Sequence, residues 1–256
     1  MLVDSHCHIH DSDYPLDIKE VMARASQADV MQMICIGTSL SDSQLAIDFA
    51  SSYEGVFASI GVHPHNASEG WDGLEKLLNP KNSSVVAVGE IGLDYFYNHS
   101  PKDIQIKALD AQIELALKHN LPIIFHIREA FDDFWPIFDN FQSTGRSIRG
   151  VMHCFTDTAE NAQKCLERGL FIGVNGYSTF VKDESQKAMF ASLPIEKLLL
   201  ETDAPYLTPT PFRGKINEPA FVRNIADYHA MIRNISFDEV AITTTKNACQ
   251  LFDLKN

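Results

Sequence analysis

Short apolar runs rich in β-branched residues alternate along the chain with longer amphipathic segments. The runs are Met1–His6, Met31–Gly37, Val56–Val62, Val85–Glu90, Pro122–His126, Gly150–His153, Leu170–Val174 and Lys197–Thr202. Several are continuously apolar, as in Val85-Val86-Ala87-Val88 and Leu198-Leu199-Leu200. Parallel strands covered on both faces read this way; strands with one face in water alternate instead. The clearest helix is Pro101–His119, where Ile106, Leu109, Ile113 and Leu117 recur at three- and four-residue steps and form one apolar stripe. Ser100 is the expected N-cap, Pro101 suits the first helical position, and Asp103 suits the positive end of the helix dipole. Weaker helical segments are Leu16–Gln27, Asp42–Ser52, Gly73–Leu78, Glu129–Phe141, Thr158–Arg168, Glu184–Ser192, Pro219–Arg233 and Ser236–Phe252. This alternation predicts an α/β fold, a single (β/α)8 TIM barrel spanning residues 1–256 as one domain. A doubly wound sheet is the alternative, but it usually has a Gly-rich turn after the first strand, where this chain has His6-Cys7-His8.

In such barrels the chemistry lies at the C-terminal ends of the strands. His6 and His8, two residues apart at the end of the first run, share one side of the strand. Glu90 closes the fourth run, His126 the fifth and His153 the sixth, and Asp203 follows the eighth. Carboxylates gathered at one mouth repel one another unless a positive centre sits among them. Divalent cations supply that centre: four imidazoles and two carboxylates, one of them bridging, suit a pair of ions about 3.5–4 Å apart.

Composition narrows the possibilities. Apolar residues make up 45% of the 256 residues and charged residues 21%, which excludes wholesale disorder. No apolar run reaches the ~20 residues that span a bilayer. The N-terminal residues carry no basic, then apolar, export signal, and the five cysteines include no Cys-x-x-Cys pair; a reducing cytoplasm is the expected location. A net charge of −13 argues against binding nucleic acid through a general positive field. It leaves room for an enzyme that grips phosphate with metal ions and a few local cations. Arg128, Lys182, Arg213 and Lys215 follow predicted strands five, seven and eight, and are either such a rim or ordinary surface charges. Tyr95, Phe96 and Tyr97 follow strand four and either stack bases or cover the rim.

Asp4-Ser5-His6-Cys7-His8, Gly61-Val62-His63-Pro64-His65, Gly89-Glu90-Ile91-Gly92-Leu93-Asp94-Tyr95, Glu201-Thr202-Asp203-Ala204-Pro205-Tyr206, and Arg213-Gly214-Lys215 with Asn217-Glu218-Pro219 resemble the TatD family of metal-dependent hydrolases over essentially the whole chain. The resemblance implies an amidohydrolase-type TIM barrel, a divalent-metal site, and hydrolysis that in characterised members is deoxyribonuclease activity. On matching positions the metal ligands would be His6, His8, Glu90, His126, His153 and Asp203, the set already reached from the strand ends. Asp203, as a ligand, would also take the proton of the attacking water, Glu90 would bridge the ions, and His65 would reach a phosphate or the leaving group; of the rim cations, Arg213 is the one expected to hold the phosphate. Imidazole ligation suits zinc, while phosphodiester chemistry often uses magnesium or manganese. The expected activity is therefore a two-metal deoxyribonuclease working from strand ends or on single strands, with DNA as its substrate and no obligate protein partner. Amide or ester hydrolysis of a small molecule, or of D-aminoacyl-tRNA, is the competing reading. A non-enzymatic metal-storing protein would not need an open coordination position. His63 either serves the site or only shapes its loop. Glu201 either orients a ligand or is a buried, paired acid.

Overall fold

The computed structural model describes residues 1–78, 84–97 and 99–255. Strands and helices alternate as far as β8, after which two helices follow in succession. The order is β1 (Leu2–Cys7), α1 (Ile18–Gln27), β2 (Val30–Ile36), α2 (Leu40–Ser52), β3 (Val56–Ile60), α3 (Leu74–Leu77), β4 (Val85–Asp94) and α4 (Lys102–Lys118). It continues with β5 (Ile123–Arg128), α5 (Phe131–Ser143), β6 (Gly150–Met152), α6 (Ala159–Glu167), β7 (Phe171–Val174), α7 (Glu184–Ser192), β8 (Leu198–Leu200), α8 (Val222–Arg233) and α9 (Phe237–Phe252). The strands neighbour one another in chain order in one eight-stranded sheet, so the fold is the (β/α)8 TIM barrel that the pattern predicts. Contacts divide the chain into two compact units: Met1–Cys35 with Cys154–Asn256, and Ile36–His153.

In the first unit β1 pairs in parallel with β2, and β7 with β8. The segment after β8 returns beside β1: the Asp203 amide donates to the His6 carbonyl at 2.9 Å, and the His8 amide to the Ala204 carbonyl at 2.8 Å. Asp4, fully buried on β1, secures this seam by accepting from the Thr202 amide at 2.8 Å and the Thr202 hydroxyl at 2.6 Å. Burial pushes the Asp4 carboxyl up to about 8, against the lowering effect of those hydrogen bonds.

In the second unit β3, β4, β5 and β6 pair in parallel in turn. Phe125 on β5 packs against Phe134 and Phe138 of α5, with ring centroids 5.2 and 6.0 Å apart. Two buried glutamines on α4 tie the helix to the segment after β3 and to the end of β4. Gln112 accepts from the Val62 amide and donates to the Val62 carbonyl, and Gln105 accepts from the Asp94 amide at 2.8 Å.

Helix starts follow elementary capping chemistry: the side chains of Asp17, Ser39, Thr158, Asp183 and Ser236 each accept a hydrogen bond from an amide of the first turn. Three expectations need correction. Ser100 does not cap α4, because Pro101 takes the cap position. Its hydroxyl instead donates to the His65 carbonyl at 2.8 Å and accepts from the Ser68 amide, pinning the turn Pro64–Glu69. Glu90 and His126 do not end their strands. β4 continues to Asp94 and β5 to Arg128, because Ile91, Gly92, Leu93 and Asp94 pair with Phe125, His126, Ile127 and Arg128 beyond a register shift at Gly89-Glu90. β8 in turn is shorter than expected and stops at Leu200.

Candidate metal centre

Within the first unit, β1 and the segment after β8 bring three candidate residues together. The His6 and His8 Nε2 atoms are 3.2 Å apart, and the nearer Asp203 carboxylate oxygen lies 3.8 and 3.5 Å from them. Ligand-type atoms of all three lie within 4.8 Å of one another. Asp203 holds its position in a left-handed backbone conformation (φ 58°), which the short, polar Asp side chain tolerates better than most.

Within the second unit, Glu90 is buried and ringed by imidazoles. Its Oε1 lies 2.7 Å from His126 Nδ1, 3.6 Å from His63 Nε2 and 3.7 Å from His153 Nε2. The His153 ring stacks on His126 at a centroid distance of 6.3 Å. The His63, Glu90 and His126 ligand-type atoms lie within 4.8 Å of one another. Asp94 completes the cluster. Its Oδ2 is 3.0 Å from both His65 Nε2 and His126 Nε2. Its Oδ1 accepts from the Phe96 and Tyr97 amides.

The electrostatics follow from this packing. Burial disfavours charge on His126, but hydrogen bonds to Asp94 and Glu90 outweigh it and push the imidazole up to about 9. Burial works on Asp94 in the opposite sense, yet hydrogen bonds from His126, the Tyr97 amide and His65 hold it below the usual carboxylate range. Burial, reinforced by neighbouring His126, holds His63 well below an ordinary imidazole. Buried carboxylates packed on imidazoles in this way suit a cation. Imidazole and carboxylate are the donors that zinc-like and harder divalent ions take, so the side chains present fit a divalent metal.

His65 sits at the edge of the second cluster, bonded to Asp94, and His63 Nδ1 accepts its amide. Arg213 is exposed; its guanidinium lies 3.7 Å above the Phe180 ring and donates to the Thr208 carbonyl at 2.8 Å. Arg128 covers Phe96 and Tyr97, and Lys215 lies over Phe212. Glu201 is buried, and its Oε1 accepts from the Cys154 amide at 2.7 Å and from Asn175 Nδ2 at 3.4 Å. Asp94 is the residue that strand-end reasoning missed. Glu90, Gly92 and Asp94 lie at steps of two, so the strand period itself would have placed both carboxylates on one side of β4.

A barrel whose strand ends carry imidazoles and carboxylates in contact is the frame of a metal-dependent hydrolase. The chain belongs to the family described as TatD related DNase, whose model matches residues 3–253. It is 38% identical over 256 residues to the "Uncharacterized metal-dependent hydrolase YabD" of Bacillus subtilis, covering 98% of this chain and 99% of that protein. It is 37% identical over 267 residues to the "3'-5' ssDNA/RNA exonuclease TatD" of Edwardsiella piscicida, covering 99% of this chain and all of that one. The crystal structure of YJJV, a TatD homologue from Escherichia coli K12, superposes with a TM-score of 0.90 at 29% identity, covering 99% of this chain and 98% of the other. Among the described residues no helix is long and apolar enough to cross a membrane.

Proposed function

We propose that this metal-dependent hydrolase is a nuclease that cuts phosphodiester bonds of DNA, from strand ends or on single strands, and that it works as one catalytic domain. The observation that carries this reading is the packing of carboxylate on imidazole at the strand ends of both units. The exonuclease name borne by relatives from Edwardsiella piscicida and Salmonella typhimurium, 37% and 35% identical, supports the choice of nucleic acid as substrate.

In this reading His6, His8, Glu90, His126, His153 and Asp203 would hold two divalent ions, zinc, magnesium or manganese. When bound, such ions make a nearby water more acidic and neutralise charge developing on phosphoryl oxygens. The protein supplies the rest. Asp203, part of the His6–His8 group and only partly exposed, is placed to orient the water and accept its proton. Glu90 keeps His126 and His153 in place through its central carboxylate. His65, held by Asp94 yet partly exposed, donates to a phosphate oxygen or to the leaving group. Arg213 anchors the strand through its exposed guanidinium.

The test is to strip the protein of metal with a chelator, then restore one divalent ion at a time on single-stranded DNA, double-stranded DNA, RNA and p-nitrophenyl esters. Return of single-stranded DNA hydrolysis is the expected result. Return of ester hydrolysis alone, with every nucleic acid left intact, would replace the nuclease by the small-molecule hydrolase.

A further inference from the structure

Phe96 is a large aromatic residue left 50% exposed, and its neighbour Tyr97 is 43% exposed. Isolated exposed aromatics are ordinary, but this pair is held rigidly from several sides. Asp94 Oδ1 accepts the amides of both residues at 3.0 Å. The adjoining Tyr95 donates its amide to the Arg128 carbonyl and its hydroxyl to Asp133 at 2.7 Å, and Lys102 lies over its ring. The Arg128 guanidinium stacks 3.9 Å from the Phe96 ring centre and 5.0 Å from that of Tyr97.

The same Asp94 uses its other oxygen on His65 and His126. One carboxylate therefore keys the aromatic loop to the cluster around Glu90. Ring-to-ring steps of 4.7, 5.4 and 6.3 Å lead from Phe96 through Tyr97 and His65 to His126. A fixed, flat, half-exposed ring carrying a cation, this close to proposed metal ligands, combines the two features that single-stranded nucleic acid binding requires: a π-face for the base and positive charge for the backbone.

We propose that Phe96, backed by Arg128, is a stacking subsite for a base of the single-stranded nucleic acid whose phosphodiester is being cut. The inference rests on the nuclease reading and adds to it the group that the protein recognises beside the phosphate. It assigns Phe96 the base and Arg128 the phosphate charge next to it. Because every base offers a π-face, the subsite is tolerant of sequence but not of a missing base.

The test uses the metal-loaded enzyme on two single-stranded oligonucleotides of equal length, one intact and one with abasic sites in its terminal nucleotides. Wild type is expected to show a KM about tenfold lower for the intact strand, with similar kcat. Phe96→Ala, and Phe96→Leu, which keeps apolar bulk but removes the flat face, are expected to erase that preference by raising KM on the intact strand alone. Phe96→Trp is expected to retain it. Arg128→Ala is expected to flatten the salt dependence of KM on both strands. Preference retained in both Phe96→Ala and Phe96→Leu, or an equal fall in kcat on both strands, would overturn the subsite while leaving the nuclease standing. Failure of wild type to cut either strand, with p-nitrophenyl ester hydrolysis intact, would remove the nuclease and the subsite together.

Discussion

Gly92 pairs with His126 across the β4–β5 ladder and leaves no room for a side chain. A Cβ built there would lie 1.8 Å from the His126 carbonyl oxygen, 2.7 Å from its carbonyl carbon and 3.0 Å from its amide nitrogen. All three are backbone atoms, so no rotamer change relieves the clash in Gly92→Ala. The strands must part by roughly 1.7 Å to bring the 1.8 Å approach to van der Waals contact near ~3.5 Å. Overpacking of this kind costs about 1–3 kcal/mol, and each ladder hydrogen bond weakened by the separation adds about 1 kcal/mol. The expected destabilisation is about 3–5 kcal/mol, with His126 displaced from Glu90 and Asp94 in whatever protein still folds. Gly145 supplies the control. It follows α5 with φ 78°, and a Cβ there meets nothing within 4 Å, so Gly145→Ala costs only the left-handed backbone penalty of about 1–2 kcal/mol. Urea unfolding of the metal-stripped variants, followed by circular dichroism, measures both. Equal midpoints for the two variants would show that β4 and β5 are not packed as tightly around His126 as the reasoning requires.

Glu90→Gln keeps the shape of the central carboxylate and removes its charge; metal content by elemental analysis should fall well below that of wild type and turnover should drop at least a hundredfold, and full loading with normal activity would contradict the ligand role. Arg213→Ala should raise KM on DNA several-fold at low salt and progressively less as salt rises, whereas Asp203→Asn should lower kcat far more than it alters KM. His229 is buried between Ser178, 3.1 Å from its Nε2, and Arg233, which donates to its Nδ1 at 2.7 Å; burial first, and then the Arg233 charge, hold it neutral well below the usual imidazole range. Below pH ~6.5 the unfolded chain takes up a proton that the folded one refuses, so stability falls as pH drops, by up to about 1.4 kcal/mol per unit, while above that pH the residue contributes no pH dependence. Urea midpoints between pH 7.5 and 5.5 should accordingly fall more steeply for wild type than for His229→Gln, and parallel slopes would count against a neutral His229.

The alternation of apolar runs with amphipathic segments determined the barrel, because parallel strands buried on both faces and helices with one apolar stripe leave different local periods in a sequence. The same locality exposed His6, His8 and the acidic or imidazole residue near the end of each central run: a polar group closing an apolar run stands out without any knowledge of its neighbours. Asp94 did not stand out, although it lies on the same side of β4 as Glu90. Its role comes from β5, which pairs with β4 four residues farther than the apolar run extends and carries His126 to both carboxylates. Ser100 reads as a helix cap when only its chain neighbours are considered; the folded chain instead offers it the His65 carbonyl, 35 positions away, and Pro101 takes the cap. Glu201 reads from its place beside Asp203 as an acid near a ligand, and only the folded chain shows that its carboxylate also accepts from the Cys154 amide, 47 positions away. Periodicity and capping are properties of a few consecutive residues and can be read along the chain. Hydrogen-bond partners are chosen by whichever buried donors and acceptors the fold brings within about 3 Å, and a sequence order contains no such distance.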